Sequence, residues 1–112
     1  MLPLVWGSWS AYECIQKYKL AIEKDPEYAP SYLNWGFSLA NLNRLNEAIE
    51  KYKLAIEKNP KYAVAYLKWG LALIQLNSPK KAMQKFVKAK QLDPNLEDSE
   101  IREIISILGW DS

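Results

Sequence analysis

The stretch YKLAIEK occurs twice in the chain, at residues 18–24 and 52–58. When the chain is shifted by 34 residues, residues 17–43 are identical to residues 51–77 at 18 of 27 positions. An internal period of about 20 to 50 residues is typical of repeat proteins, in which each unit buries its apolar face against the neighbouring units. The repeat therefore predicts a stack of similar units, each long enough for two short helices.

The middle unit is predicted to be a pair of helices. Tyr32, Trp35 and Leu39 are separated by three and four residues, which places them on one face of a helix over 29–42. Asparagines then interrupt the pattern. A second helix is predicted over 45–58, and an Asn-Pro pair ends it because proline cannot continue the helical hydrogen bonds.

The following unit repeats this organisation. A helix is predicted over 63–76, and Ser78-Pro79 provides an N-cap and a first-turn proline for a second helix that ends near Leu92. An Asp-Pro pair follows that helix, as Asn-Pro and Asp-Pro follow its two equivalents. The sequence thus predicts an all-α fold.

These residues resemble the pattern of the tetratricopeptide repeat family. In that pattern a large aromatic residue opens the first helix, a large residue and a glycine follow, and small residues flank an aromatic residue in the second helix before a proline. The matching residues are Tyr32, Trp35, Gly36, Ala48, Tyr52, Ala55 and Pro60, then Tyr66, Trp69, Gly70, Ala82, Phe86, Ala89 and Pro94. Leu39 and Leu73 stand where an aromatic residue is common. The resemblance implies an α-solenoid of antiparallel helical hairpins, in which the small residues allow close helix packing.

We expect one domain over residues 1–112. It would comprise a partial first repeat at 1–28, whole repeats at 29–62 and 63–96, and a capping helix at 97–109. Ser10 and Glu13 form a predicted capping box at the start of a helix, and the nine residues before them are too few for the first helix of a complete hairpin. In the last segment, apolar residues spaced as on one helical face predict the capping helix: Ile101, Ile104, Ile105 and Leu108.

The composition argues against several classes of function. The chain has 49% hydrophobic and 25% charged residues, as a folded protein does, and a net charge of only +2. Nucleic acid is therefore not the favoured partner, although lysines between residues 80 and 90 form a basic strip. Without histidine and with Cys14 as the only cysteine, we expect no metal, no cofactor and no enzymatic activity. No apolar run in the sequence is as long as a membrane span, which needs about eighteen residues or more. We expect a cytoplasmic protein.

The first helices of the hairpins should line the concave side of the solenoid. The residues expected to form a partner-binding groove there are Leu33, Asn34, Phe37, Asn41, Leu67, Lys68, Leu71 and Gln75. Some members of the family hold a peptide carboxylate with basic and amide side chains, and Asn34 and Lys68 match two of those positions. Val64 replaces a basic residue, so we expect an apolar or amphipathic peptide or helix instead.

The predicted function is a protein–protein interaction module with an adaptor, scaffold or co-chaperone-like role. The alternative is a structural unit that forms homo-oligomers through its incomplete N-terminal repeat. There Trp6, Trp9 and a surface around Tyr12, Tyr18, Tyr32 and Trp35 would lack the cover of a complete hairpin. Residues 1–9 would either fold back over this surface or cover another copy.

The self-association hypothesis predicts that the double variant Trp6→Ser, Trp9→Ser has a smaller mass in solution than the intact protein. Loss of two large apolar side chains would remove the interface that joins the copies. Static light scattering on both proteins at the same concentration measures this. Equal masses would leave the two tryptophans without this role.

Overall fold

The computed structural model describes residues 10–96 and residue 102, and within this part of the chain the only regular secondary structure is α-helix. The five helices of residues 10–96 are α1 (Ala11–Lys24), α2 (Ala29–Asn41), α3 (Leu45–Lys58), α4 (Ala63–Gln75) and α5 (Pro79–Leu92). Helices α2 and α3 form one antiparallel hairpin and α4 and α5 form the next, while α1 packs on α2 and α3 packs on α4. The predicted all-α solenoid is confirmed.

The start of α1 has the predicted capping box. The Ser10 hydroxyl accepts a hydrogen bond from the Glu13 amide at 3.1 Å, and the Glu13 carboxylate accepts one from the Ser10 amide at 3.0 Å. Ser78 is also the N-cap residue of its helix, but its side chain makes no capping hydrogen bond. Pro79 at the next position has no N–H to satisfy, which lowers the need for such a bond.

The turn inside each hairpin depends on an asparagine in the left-handed conformation. Asn43 has a φ of 62° and Asn77 a φ of 65°, values that asparagine adopts more readily than most residues. In the first hairpin the Arg44 amide then donates to the Leu39 carbonyl at 2.9 Å, and the equivalent bond closes α4. This arrangement ends α2 and α4 one residue before the predicted positions.

The two helices of each hairpin meet at a glycine. A Cβ atom added at Gly36 would lie 2.6 Å from Cε1 of Tyr52, and one added at Gly70 would overlap the ring of Phe86. Alanines of the second helices complete this contact, and each is fully buried: Ala48, Ala55, Ala82 and Ala89. The backbones therefore approach closely, and the aromatic ring fills the remaining space, as the small-residue pattern predicts.

Helices α1 and α3 share the sequence YKLAIEK but not the same surroundings. Tyr52 of α3 is 1% exposed, whereas its equivalent in α1, Tyr18, is half-buried. Likewise Leu54 of α3 is half-buried and Leu20 of α1 is exposed. Helix α3 packs against α2 and α4, while among the described helices α1 packs mainly against α2. Burial of the repeated segment is thus set by its neighbours.

The contacts between hairpins locate the concave side of the stack. Helices α2 and α4 contact each other, whereas contacts of α3 with α1 and with α5 are marginal at most. Elements on the inside of a curved stack lie closer together, so α2 and α4 line the concave side and α1, α3 and α5 the convex side. None of the described helices is long and apolar enough to cross a membrane.

Two predictions concern segments outside the described residues. Trp6 and Trp9 belong to residues 1–9, and the predicted capping helix belongs to 97–109, of which Arg102 alone is described and is helical. The self-association surface and the capping helix therefore stay predictions.

The hairpin contact predicts that large side chains at the small-residue positions destabilise the fold. Gly70→Leu and Ala55→Leu each add methylene groups to a closed interface, and we expect each to lower the free energy of unfolding by about 1 to 3 kcal/mol. Thermal melts followed by circular dichroism measure this. Gln84→Leu, at an exposed position of α5, is the control and should melt close to the wild type. Unchanged midpoints for both core variants would contradict this packing.

Candidate functional site

The eight residues predicted for the concave groove differ in exposure. Four are exposed, two are half-buried and two are buried: Asn34, Phe37, Asn41 and Gln75, then Lys68 and Leu71, then Leu33 and Leu67. All eight lie on α2 and α4, the helices of the concave side. The open surface is therefore narrower and more polar than the sequence indicated.

The expectation that Leu33 and Leu67 point into an open groove is wrong. Leu33 is 8% exposed and Leu67 is 2% exposed, and both belong to the main hydrophobic core. Because α2 and α4 contact each other as well as their hairpin partners, these leucines are enclosed between elements. Leu71 is half-buried and also packs against the core, so it contributes only part of its side chain to the concave surface.

Phe37 is the most exposed large apolar side chain on this surface, at 47%. The Lys68 Nζ atom lies 4.9 Å from the centroid of its ring, across the boundary between consecutive hairpins. A cation at this distance over an aromatic face is attracted by the ring quadrupole. The pair joins α2 to α4 and leaves the rest of the ring open to a ligand, with the amide of Asn34 exposed one helical turn away.

The convex side has a feature that sequence reasoning missed. Trp35 and Trp69 both pack against the core, but both are only half-buried. Lys51 Nζ lies 3.9 Å from the centroid of the Trp35 ring, and Lys85 Nζ lies 3.8 Å from that of Trp69. The signal was present in the repeat, because the 34-residue shift aligns both tryptophans and both lysines.

Each tryptophan is approached by a second lysine, from the preceding hairpin. Lys19 Nζ is 5.7 Å from the Trp35 centroid, and Lys53 Nζ is 5.6 Å from the Trp69 centroid. The Trp35 ring thus lies between α1 and α3, where an open groove of about 320 Å³ is lined by Tyr12, Ile15, Gln16, Lys19, Trp35, Leu39, Arg44, Glu47 and Lys51. We call this the Trp35 groove, and the equivalent position between α3 and α5 the Trp69 groove.

Lys85 of the basic strip has a distinctive environment. Burial, and then the positive charge of Lys53, lower the pKa of the Lys85 ammonium group below its ordinary value. The lysines around it in the strip, at 80, 81, 88 and 90, are exposed. Lys85 is therefore directed towards Trp69 and Lys53, while the rest of the strip faces solvent.

The surface expected to be exposed near the incomplete repeat is exposed only in part. Tyr12 is 64% exposed, whereas Tyr32 is 8% exposed and its hydroxyl donates to the Pro26 carbonyl at 2.9 Å. Tyr32 is not part of the exposed surface, because its ring belongs to the core of the first hairpin. Cys14 is half-buried, and the described residues contain no group of three or more acidic, cysteine or histidine side chains that could hold a metal ion.

A family model described as TPR repeat matches residues 38–77. The TPR2B domain of yeast Sti1, in a complex with pHsp70, is 30% identical with a TM-score of 0.76; the match covers 86% of this chain and 78% of that one. The first TPR of Spaghetti, bound to the HSP90 peptide SRMEEVD, is 25% identical with a TM-score of 0.78; it covers 88% of this chain and 82% of that one.

A crystal structure of MamA is 26% identical with a TM-score of 0.70, and the match covers 75% of this chain. The chain spans 49% of MamA, about half its length. No curated protein matches the sequence. These solved structures thus share the helical arrangement of this chain.

Because the ammonium groups of Lys53 and Lys85 both lie near Trp69, we expect a substitution of Lys53 to change the pKa of Lys85, which NMR can measure. Removing the charge of Lys53 with Lys53→Gln should raise the pKa of Lys85, because a nearby positive charge disfavours the protonated form. The pKa should remain below its ordinary value, since burial is the larger cause. Titration of the lysine ¹³Cε signals gives both values. Lys24→Gln is the control, and an unchanged Lys85 pKa in Lys53→Gln would show that the two groups are not neighbours.

Proposed function

Because the chain belongs to the tetratricopeptide repeat family, we propose that it is a protein-interaction module that binds a partner peptide or helix in the concave groove of α2 and α4. Two of the similar structures support this class of function, since one is in a complex with pHsp70 and the other is bound to an HSP90 peptide. The proposed contact residues are those of the predicted groove that are accessible: Asn34, Phe37, Asn41, Lys68, Leu71 and Gln75. Leu33 and Leu67 support them from the core.

The observation that carries the proposal is the exposed ring of Phe37. A large apolar side chain that is 47% exposed on the concave side gains free energy when a ligand removes it from water, at about 25 cal/mol per Å² of buried apolar surface. The ammonium group of Lys68, on α4, contacts the Phe37 ring. The ring is therefore oriented by contacts from two consecutive hairpins in the absence of a ligand.

The proposed ligand is apolar or amphipathic. Lys68 is the single cation among the proposed contact residues, and Val64, half-buried and packed against the core, brings no charge to the start of α4. An exposed contact between a ligand carboxylate and one lysine contributes only about 0 to 1 kcal/mol. Affinity would then come mainly from apolar contact with Phe37 and Leu71, with the amide side chains setting the orientation of the peptide.

More specifically, we propose that the chain is a cytoplasmic adaptor or scaffold without catalytic activity of its own. The class of fold, and a groove that consists mainly of apolar and amide side chains, support this role. Such a module recruits one protein to another by peptide recognition.

Self-assembly is a second candidate function, favoured by the apolar exposure of α1. Tyr12 is 64% exposed and Leu20 is 60% exposed, and Trp6 and Trp9 of the same end of the chain add apolar character to the sequence. A surface of this kind usually marks an interface. A second copy of the chain would be the partner.

Peptides selected from a phage-displayed library test the concave groove. We expect the selected peptides to be apolar or amphipathic, and Phe37→Glu to weaken their binding at least about tenfold, because the peptide would lose its apolar contact with the ring and would have to desolvate a carboxylate in its place. Fluorescence polarisation with the labelled peptides measures this, and the peptide SRMEEVD serves as an acidic comparison. Val87→Glu, at a position 42% exposed on α5, is the matched control and should bind normally.

The variant Lys68→Ala identifies the ligand class. A small change in affinity is expected for an apolar peptide, because the lysine makes only an exposed contact. Tight binding of SRMEEVD that is lost in Lys68→Ala would show a carboxylate ligand instead. Equal loss in Phe37→Glu and Val87→Glu would place the binding surface elsewhere on the protein.

A further inference from the structure

The two tryptophan grooves repeat one arrangement of charge and apolar surface along the convex side. In each, an indole from a first helix lies between two lysines from the flanking second helices: Lys19 and Lys51 about Trp35, and Lys53 and Lys85 about Trp69. Both lysines of each pair are separated from their equivalents by 34 residues. The convex side thus repeats the arrangement of one tryptophan near two lysines, one hairpin apart.

Carboxylates among residues 10–96 neutralise the positive charge of these grooves only in part. In the Trp35 groove, Glu47 pairs with Arg44 at 2.6 Å, and no described carboxylate lies within ion-pairing distance of Lys19 or Lys51. In the Trp69 groove, Lys53 pairs with Glu50 at 3.4 Å, and Lys85 has no ion pair with a described residue. The net charge of +2 of the whole chain conceals this, because residues 10–96 carry fourteen Lys and Arg against eight Asp and Glu, a net charge of +6.

Each groove also has an apolar floor between its positive walls. The half-buried ring of Trp35 and the side chain of Leu39 line the Trp35 groove, and Trp69 and Leu73 are their equivalents after a shift of 34 residues. A free phosphate would use the lysines and leave this floor unused. A polypeptide that alternates carboxylates with apolar side chains would use both, because its carboxylates reach the lysines while an apolar side chain covers the indole.

We propose that the Trp35 and Trp69 grooves together form a second binding surface, on the convex side, for an acidic segment of a partner protein that carries an apolar side chain among its carboxylates. The segment lies across α1, α3 and α5 and meets one groove after the other. This surface is separate from the concave groove, and neither depends on the other. Charge complementarity sets the class of partner, and the apolar floor distinguishes a peptide from a simple anion.

Binding of a fluorescein-labelled peptide of repeated Glu-Glu-Leu-Glu units to the whole chain tests this proposal. We expect Lys19→Gln with Lys53→Gln to weaken binding about fivefold to tenfold at low salt, since each exposed charge contact contributes modestly. Both lysines are exposed, so thermal melts should remain unchanged. Lys51→Gln with Lys85→Gln is an independent second pair and should give a similar loss.

The matched control is Lys24→Gln with Lys61→Gln, which removes the same charge from exposed lysines outside both grooves. This control should lose less than about twofold in affinity, the effect of net charge alone. In the NMR spectrum the peptide should shift the indole N–H signals of Trp35 and Trp69. Phe37→Glu should not weaken binding of this peptide, which separates a failure here from a failure of the concave groove.

Three results would overturn the proposal. Equal weakening by the groove pair and the control pair would show a general charge effect. Absence of indole shifts at Trp35 and Trp69 in the presence of saturating peptide would place the ligand elsewhere. Groove-dependent binding of inorganic phosphate, of vesicles with anionic lipid or of a single-stranded oligonucleotide, with no binding of the peptide, would show that the grooves recognise phosphate.

Discussion

The close contact of glycine with an aromatic ring inside each hairpin is the interaction on which the rest of the structure depends. At Gly36 and Gly70 the neighbouring ring occupies the space that a Cβ atom would need. Because the two helices approach this closely, the alanines of the second helix are completely buried and the hairpin becomes a rigid unit. The spacing of successive hairpins, and therefore both surfaces of the stack, follows from the thickness of that unit.

That thickness also decides which tryptophan atoms reach the surface. With Tyr52 filling the centre of the first hairpin, the larger indole of Trp35 lies at its edge and is only half-buried. Lysine side chains then cover the ring, since a long aliphatic stem can lie on apolar surface while its ammonium group stays near water. Lysine side chains cover the ring of Trp69 in the same way. The polar character of the convex side thus depends on how the aromatic rings pack inside each hairpin.

Much of the fold could be predicted from the sequence because the two whole repeats carry the same local sequence patterns. The turns at Asn43 and Asn77 and the small residues opposite Tyr52 depend on neighbours within one hairpin, and the capping box at Ser10 depends on neighbours within one turn of α1. Exposure of Leu33 and Leu67 could not be predicted in the same way. Periodicity assigns a residue to a face of its helix, but the distance to the next hairpin decides whether that face is open, and this distance depends on packing between repeats.

The unequal burial of the repeated YKLAIEK segment has a consequence for local stability. In a stack whose elements contact only their neighbours, the free energy needed to open one helix is the sum of its own contribution and those of its interfaces. Helix α3, with Tyr52 enclosed, has an interface on both sides, whereas α1 leaves Tyr18 half-buried and Leu20 exposed. We expect the same seven amides to exchange with solvent more slowly in α3 than in α1, so that one sequence reports two local stabilities within a single chain.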